Sequence, residues 1–398
     1  MTAPPFTDSA ARLTATPPLP PTNELIALLV KSVEKVSDIF LSPMRAPQVR
    51  VNGRIISPLF TELPELLPDD TRRIANDLIG NRPSVQPRLN AEGSCDFSFF
   101  VPKLGRFRVN IFSQRGSYAI KLRVISDPVL PTFESLHLPP QLEQFASLRS
   151  GLVVFSGAVG SGKSSTLTAV LGRISEQRDG HIITVEDPVE FQFRHRKATV
   201  LQRELYRDVP SFPIALRASL RHPPHVIFLS TLPDRETLDL ALEAADCGHL
   251  VFAALHTPDA SRTVGHLLRF FSPAEESTTR QRLARTLRGI VSQRLLPRLE
   301  SPEQVALFEI LFSTPRIREC IATGEQNVMS LTDAIREGAS QNMQCFEDEL
   351  KKLQKAGVIA ADLDWEEIFG DWIPAHARPL DPRNPVTRPE IEFAHDPK

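Results

Sequence analysis

Residues Gly157, Ala158, Val159, Gly160, Ser161, Gly162, Lys163 and Ser164 read GAVGSGKS, the residue types and spacing of a loop that wraps a phosphate group. An apolar run at 152–155 precedes it, and a helical segment opening at Ser165 follows, which is the strand–loop–helix context this chemistry needs. The glycines let backbone N–H groups turn inward around a β-phosphate, Lys163 would neutralise the β and γ oxygens, and Ser164 would offer its hydroxyl to Mg²⁺. The expected ligand is therefore ATP, or a like nucleoside triphosphate, with Mg²⁺. A glycine-rich turn with a chance lysine is the bland alternative, and the flanking segments argue against it.

Hydrolysis asks for more than a grip on phosphate. An apolar strand expected at 181–185 runs into Glu186-Asp187-Pro188-Val189-Glu190, so carboxylates should emerge at its carboxyl edge, where open α/β sheets gather ligands. Glu186 is the best candidate to orient water or Mg²⁺; a solvated acidic turn stopped by Pro188 is the alternative. Phosphate-loop enzymes usually present another carboxylate at the end of a second core strand. Here that strand ends Val226-Ile227-Phe228-Leu229-Ser230-Thr231, and the slot holds Thr231. A threonine hydroxyl can hold a water but cannot take its proton near neutrality, so turnover should fall by about 10²- to 10⁴-fold while nucleotide affinity changes little. Asp234 and Glu236 could substitute only if the loop after Pro233 folds back. His256, after an apolar run at 250–255, could sense a γ-phosphate or simply pack. Arg106 and Arg108, and Lys121 and Arg123, alternate with apolar residues and give two strands a cationic face, either merely solvated or able to reach phosphates.

The elements that must position these residues follow from periodicity. A chain of 398 residues, 41% hydrophobic, is long enough for two or three domains with their own cores. The sequence predicts a helix capped by Asn23 with Leu25, Leu28, Leu29, Val33 and Val36 on one face. A hairpin at 48–56 should turn at Asn52-Gly53, followed by a helix at 70–79 and alternating strands near 96–101, 106–112 and 119–125. Prolines at 128 and 131 mark a hinge. From Gly151 the apolar runs are short and continuous, as in a largely parallel sheet covered on both faces. Leu283, Leu287, Ile290, Val291 and Leu295 read as one amphipathic helix, and 301–372 as mostly helical. The expected division is a disordered proline-rich tail at 1–22, a small α/β domain at 23–126, a linker at 127–150, the nucleotide core at 151–300, a helical region at 301–373 and a second proline-rich tail at 374–398.

A net charge of −2 gives no global reason to bind nucleic acid, and no basic, aromatic-interleaved stripe supports a helicase or DNA-packaging reading. The four cysteines form no CxxC pair and read as reduced cytosolic thiols. No 18-residue apolar window and no signal-like start occur, so a cytoplasmic protein without membrane insertion is expected.

With these residues in place, the chain resembles the PilT-type ATPases of type IV pilus retraction, within the wider family of type II and type IV secretion ATPases. The resemblance rests on Val51-Asn52-Gly53, Gly105-Arg106-Phe107-Arg108-Val109-Asn110, the phosphate loop, Thr184-Val185-Glu186-Asp187-Pro188-Val189-Glu190-Phe191, Leu201-Gln202-Arg203-Glu204, Leu255-His256-Thr257 and Ile290-Val291-Ser292-Gln293-Arg294-Leu295-Leu296. It implies a PAS-like N-terminal α/β domain, a RecA-like core and a ring hexamer with ATP between the two domains. It further implies an inner-membrane platform protein as partner, with the ring on the cytoplasmic side, and twitching motility as the outcome. It assigns Glu186, Asp187 and Glu190 to an acidic box, His256 to a histidine box, and Arg106, Arg108 and Arg123 to nucleotide phosphates. Where the family places Gly-Glu this chain has Ser230-Thr231, and that glutamate is the catalytic one. The following Arg-Asp has become Pro233-Asp234, an acidic pair has become His222-Pro223, and a histidine has become Phe40. The retraction motif survives only as Ile317-Arg318 and Ile321 within 316–323. Two readings follow: a hydrolysis-deficient member that joins or regulates an active paralogue in a ring, or an active ATPase in which Glu186 or Asp234 stands in for the missing acid.

Overall fold

Alternation in one half of the chain and continuous apolar runs in the other give two sheets of different character. The computed structural model of the protein describes residues 19–363 apart from 52–53, 59–62, 81, 84, 126–129, 301–302 and 325–329. Residues 1–18, the second proline-rich tail, the Asn52-Gly53 turn and most of the expected hinge lie outside the described residues.

Helix α1 (Thr22–Lys31) buries Leu25, Ile26 and Leu29. Pro21, not Asn23, holds the N-cap position, and no side chain caps it. The helix is shorter than its apolar spacing suggests because Lys35 takes a φ of 61°, off the helical path, and Val36 begins a strand. Strands β1 (Val36–Leu41), β2 (Gln48–Val51) and β3 (Arg54–Ile56) come next. Helices α2 (Pro68–Ile79) and α3 (Val85–Glu92) then precede β4 (Ser94–Val101), β5 (Gly105–Gln114) and β6 (Ser117–Ile125). All pairs are antiparallel, in the order β3-β2-β1-β6-β5-β4. Phe107, Val109 and Ile111 of β5 and Ile120 and Leu122 of β6 point into one core with α1, α2 and α3, while Arg106, Arg108, Lys121 and Arg123 take the other face.

After the short α4 (Glu143–Ser147) the core alternates strand and helix: β7 (Gly151–Ser156), α5 (Lys163–Gln177), β8 (Gly180–Glu186), β9 (Ala198–Glu204), α6 (Phe212–Leu220), β10 (Val226–Leu229), α7 (Arg235–Asp246), β11 (Leu250–Leu255), α8 (Ala260–Leu268) and α9 (Glu276–Thr286). β12 (Leu287–Pro297) and β13 (Gln304–Phe312) complete a seven-stranded sheet ordered β13-β12-β7-β11-β10-β8-β9. Every pair is parallel except β12 with β13. β7 is buried on both faces: Leu152 and Val154 pack with α6 to α9, Val153 and Phe155 with α4 and α5. Helices α10 (Pro315–Thr323), α11 (Leu331–Glu337) and α12 (Phe346–Lys355) close the described chain.

A further expectation is overturned downstream. The amphipathic helix at 283–295 is two elements: α9 ends at Thr286 and β12 starts at the next residue. A strand buried on both faces puts apolar residues at every spacing, so Leu287, Ile290, Val291 and Leu295 satisfy a helical stripe by accident. The region from 301 likewise opens with strand β13 before its helices. β9 was not anticipated as a strand either.

Candidate nucleotide site

β7 delivers the chain at Ser156 to the loop 157–162, and α5 begins at Lys163. Gly157 and Gly162 have φ of 145° and 85°. A Cβ on Gly157 would fall on the carbonyl oxygen of Gln293, and one on Gly162 would come within 2.8 Å of the Gln293 Nε2. Only glycine fits either place, because β12 presses against the loop from behind. Gln293 also accepts a hydrogen bond from Thr166 Oγ1 at 2.8 Å, tying β12 to the first turns of α5. Ala158, Val159 and Gly160 are exposed at the loop's mouth, as is Ser164; Ser161 is buried and Ser165 half-buried.

Lys163 turns back into the loop. Its Nζ donates to the carbonyls of Gly157 at 2.6 Å and Ala158 at 2.8 Å. Burial pulls its ammonium down to about 8, and only the charge of Glu190 opposes this. A desolvated cation resting on carbonyl dipoles, beside a glycine-rich bend open to solvent, fits a bound polyphosphate.

His256 follows β11 and leans on the same loop: its ring hydrogen-bonds the Gly157 backbone. Although exposed by area, the ring loses enough water against the protein to lower its pKa, and the Lys163 charge lowers it further. The structure thus brings Lys163 and His256 to Gly157, with the charge of Glu190 acting on Lys163.

The acidic turn has a more occupied chemistry. Glu186, 6% exposed, accepts hydrogen bonds from Thr184 Oγ1 at 2.6 Å and Gln202 Nε2 at 3.1 Å. Burial raises its carboxyl to about 7. Burial raises Asp187 too, against the charges of Arg88 and Arg108. The Asp187 N–H donates to Ser230 Oγ at 3.1 Å, so the end of β10 is stitched to this turn and Thr231 stands next to it, half-buried. Asp234 is engaged elsewhere: its Oδ1 caps α7 by accepting from Thr237 N at 2.8 Å. Glu236 pairs with Arg217. Among the described residues no group of three or more His, Cys, Asp or Glu side chains could by itself hold a metal ion. Mg²⁺ bound with nucleotide needs few protein ligands, since water and phosphate oxygens fill most positions. The exposed Ser164 hydroxyl and the acidic turn are the donors available for that.

The arginines divide. Arg106 reaches across to the core, where its Nη2 donates to Glu204 at 3.3 Å while its buried Nη1 has no partner. Arg108 pairs with Asp96 at 3.3 Å and Arg123 with Asp38 at 3.1 Å, both within the first sheet. Gln202, Glu204 and Gln293 were named in the sequence only as parts of the resemblance and were given no role. Each lies on β9 or β12, the strands whose character was not anticipated, and each gains its meaning from a partner more than ten positions away in the chain.

The family described as "Type II/IV secretion system protein" matches residues 78–355, from the end of α2 to the end of α12. The chain belongs to that family. It is 36% identical over 338 residues to the type IV pilus ATPase PilU of Pseudomonas aeruginosa, covering 84% of this chain and 86% of that protein. It is also 36% identical over 340 residues to the type IV pilus retraction ATPase PilT of the same organism, covering 85% and 96%. Among solved structures, the pilus retraction motor PilT with bound ADP superposes with a TM-score of 0.74 at 36% identity, over 90% of this chain and 97% of that one. This type II/IV secretion family member therefore has an N-terminal α/β domain and a RecA-like core, as the resemblance implied.

Proposed function

We propose that this chain is an ATP-binding member of the pilus-motor branch of its family, and that it hydrolyses ATP weakly. The observation that carries the reading is the pairing of a complete phosphate loop, with Lys163 desolvated inside it, and a β10 end that offers Ser230 and Thr231 in place of a carboxylate. Bound Mg·ATP would supply an electrophilic γ-phosphorus whose charge is spread by the metal. Lys163 would leave the carbonyls of Gly157 and Ala158 for the phosphate oxygens, the loop amides would cradle the β-phosphate, and Ser164 and the acidic turn would face the metal. His256, already against Gly157, would report whether the γ-phosphate is present. Thr231 would hold a water without taking its proton. In this reading the chain works in a hexamer, alone or with a PilT-like paralogue, at the cytoplasmic face of an inner-membrane platform protein, and drives or regulates pilus dynamics. The relatives' motor names support the setting.

A second reading is favoured by one observation. A carboxyl raised to about 7 has the pKa that suits a general base near neutrality, so Glu186 could itself serve. Its two hydrogen-bond donors weigh against its moving. Phosphate release by the purified chain separates the two. The first reading expects slow turnover that Thr231→Glu raises by about 10²- to 10⁴-fold with little change in nucleotide affinity. Vigorous wild-type turnover abolished by Glu186→Gln would overturn it in favour of the second.

A further inference from the structure

Away from the acidic turn, another buried carboxylate lies behind the phosphate loop. Glu309 of β13 is 5% exposed, and Ser156 of β7 and Ser292 of β12 are fully buried. The strand registers set these three side by side in one row, since Ser292 pairs with Ser156 across one ladder and with Glu309 across the other. Ser156 Oγ donates to Ser292 Oγ at 2.9 Å, and Ser292 Oγ donates to Glu309 Oε1 at 3.1 Å. The same oxygen accepts from the backbone N–H of Ala260 at 2.7 Å. Ala260 is the first residue of α8, so the carboxylate also meets the positive end of that helix.

The two ends of this chain of bonds are the two halves of the candidate site. Ser156 is the residue before Gly157. Ala260 is four residues after His256, and the intervening loop is fixed to α8, with Thr257 Oγ1 2.7 Å from Thr263 Oγ1 and Thr263 Oγ1 donating to the Asp259 carbonyl at 2.6 Å. We infer that Glu309 is a positioning residue: through Ser292 and Ser156 on one side and the Ala260 amide on the other, it seats the His256 loop against the phosphate loop. Its consequence for turnover rests on the proposed function above, but the seating itself requires no nucleotide. An apolar residue would pack as well in a β-sheet core; a buried carboxylate costs desolvation, offset here by donors from two separate elements.

The test uses the full chain without nucleotide, labelled with ¹⁵N-histidine, with the His256 ring signals assigned by their loss in His256→Gln. In the wild type the ring nitrogens should show a single tautomer, held by the Gly157 backbone. Glu309→Ala should release the loop and average the two tautomers. Glu309→Gln, whose Oε1 can accept both hydrogen bonds, should restore the single-tautomer pattern. Ser292→Ala, which cuts the link to Ser156 but keeps that to Ala260, should give partial averaging, and it decides the matter if Glu309→Ala does not fold. A wild-type pattern in folded Glu309→Ala, or in Ser292→Ala, overturns the inference. Failure of Gln to rescue would overturn it too, by showing that charge and not hydrogen bonding seats the loop. A chain that binds no ATP but follows these expectations would sink the proposed function while leaving the seating intact.

Discussion

Glu186 closes β8 where water scarcely reaches, and this sets a pH dependence. Its carboxyl moves from an ordinary 4.5 up to about 7 on burial. Between those two values the folded chain keeps a proton that the unfolded chain has released, so stability falls as pH rises, and the cost is fully present above pH 7. Glu186→Gln keeps an acceptor for Thr184 and Gln202 and removes the ionisation. In nucleotide-free chain with EDTA it should therefore stabilise by roughly 2 to 3 kcal/mol at pH 8. The gain should shrink strongly by pH 5. Thermal denaturation of both proteins at the two pH values checks this; a gain equal at both would show that packing, not ionisation, is responsible.

At the scale of elements, the decisive piece is β12. Its Gly289 has no room for a side chain, because a Cβ there would overlap the Phe145 ring and come within 2.6 Å of the Leu311 carbonyl. Gly289→Ala should cost about 2 kcal/mol or more through overpacking, read as a lower denaturation midpoint with an unchanged slope. The same strand shows where sequence reasoning ran out. Alternation in β5 and β6 and the apolar runs of β7, β8, β10 and β11 were legible because a half-buried strand and a doubly buried strand leave distinct marks. The phosphate loop was legible because its glycines and lysine do their work within eight residues. β12 was not, because Leu287, Ile290 and Val291 meet a helical period as readily as a buried strand. With it went Gln293 and Ser292, whose roles come from Thr166, Gly157 and Glu309, residues their own neighbourhood in the chain says nothing about. Glu186 was identified as a carboxylate at a strand edge, but its burial under Gln202 depends on β9, which was also missed.

Across the whole molecule, the two sheets meet at Glu204. Its carboxylate, 3% exposed, receives Ser98 Oγ at 2.6 Å and the Ser98 N–H at 3.3 Å from β4, Arg106 from β5, and the Val189 N–H at 3.3 Å from the acidic turn. Glu204→Ala would strand these donors and leave Arg106 without its carboxylate. Val109 and Val154 belong to separate buried cores, one in each sheet, so both sheets should stay folded while the joint loosens. Hydrogen exchange at the amides of 98 and 189 should speed up by about tenfold to a hundredfold, the equivalent of 1 to 3 kcal/mol. Protection retained at both positions would mean the joint does not depend on this carboxylate.

The lysine folded onto its own loop carries one more consequence. With its ammonium already down at about 8, a share of the empty protein in mildly alkaline buffer holds Lys163 as a neutral amine. Phosphate oxygens arriving beside it favour the charged form, so nucleotide uptake at pH 8.5 should draw protons from the medium. Calorimetric titrations in two buffers of different ionisation enthalpy would register that uptake as a heat that tracks the buffer, and the effect should fade at pH 6.5.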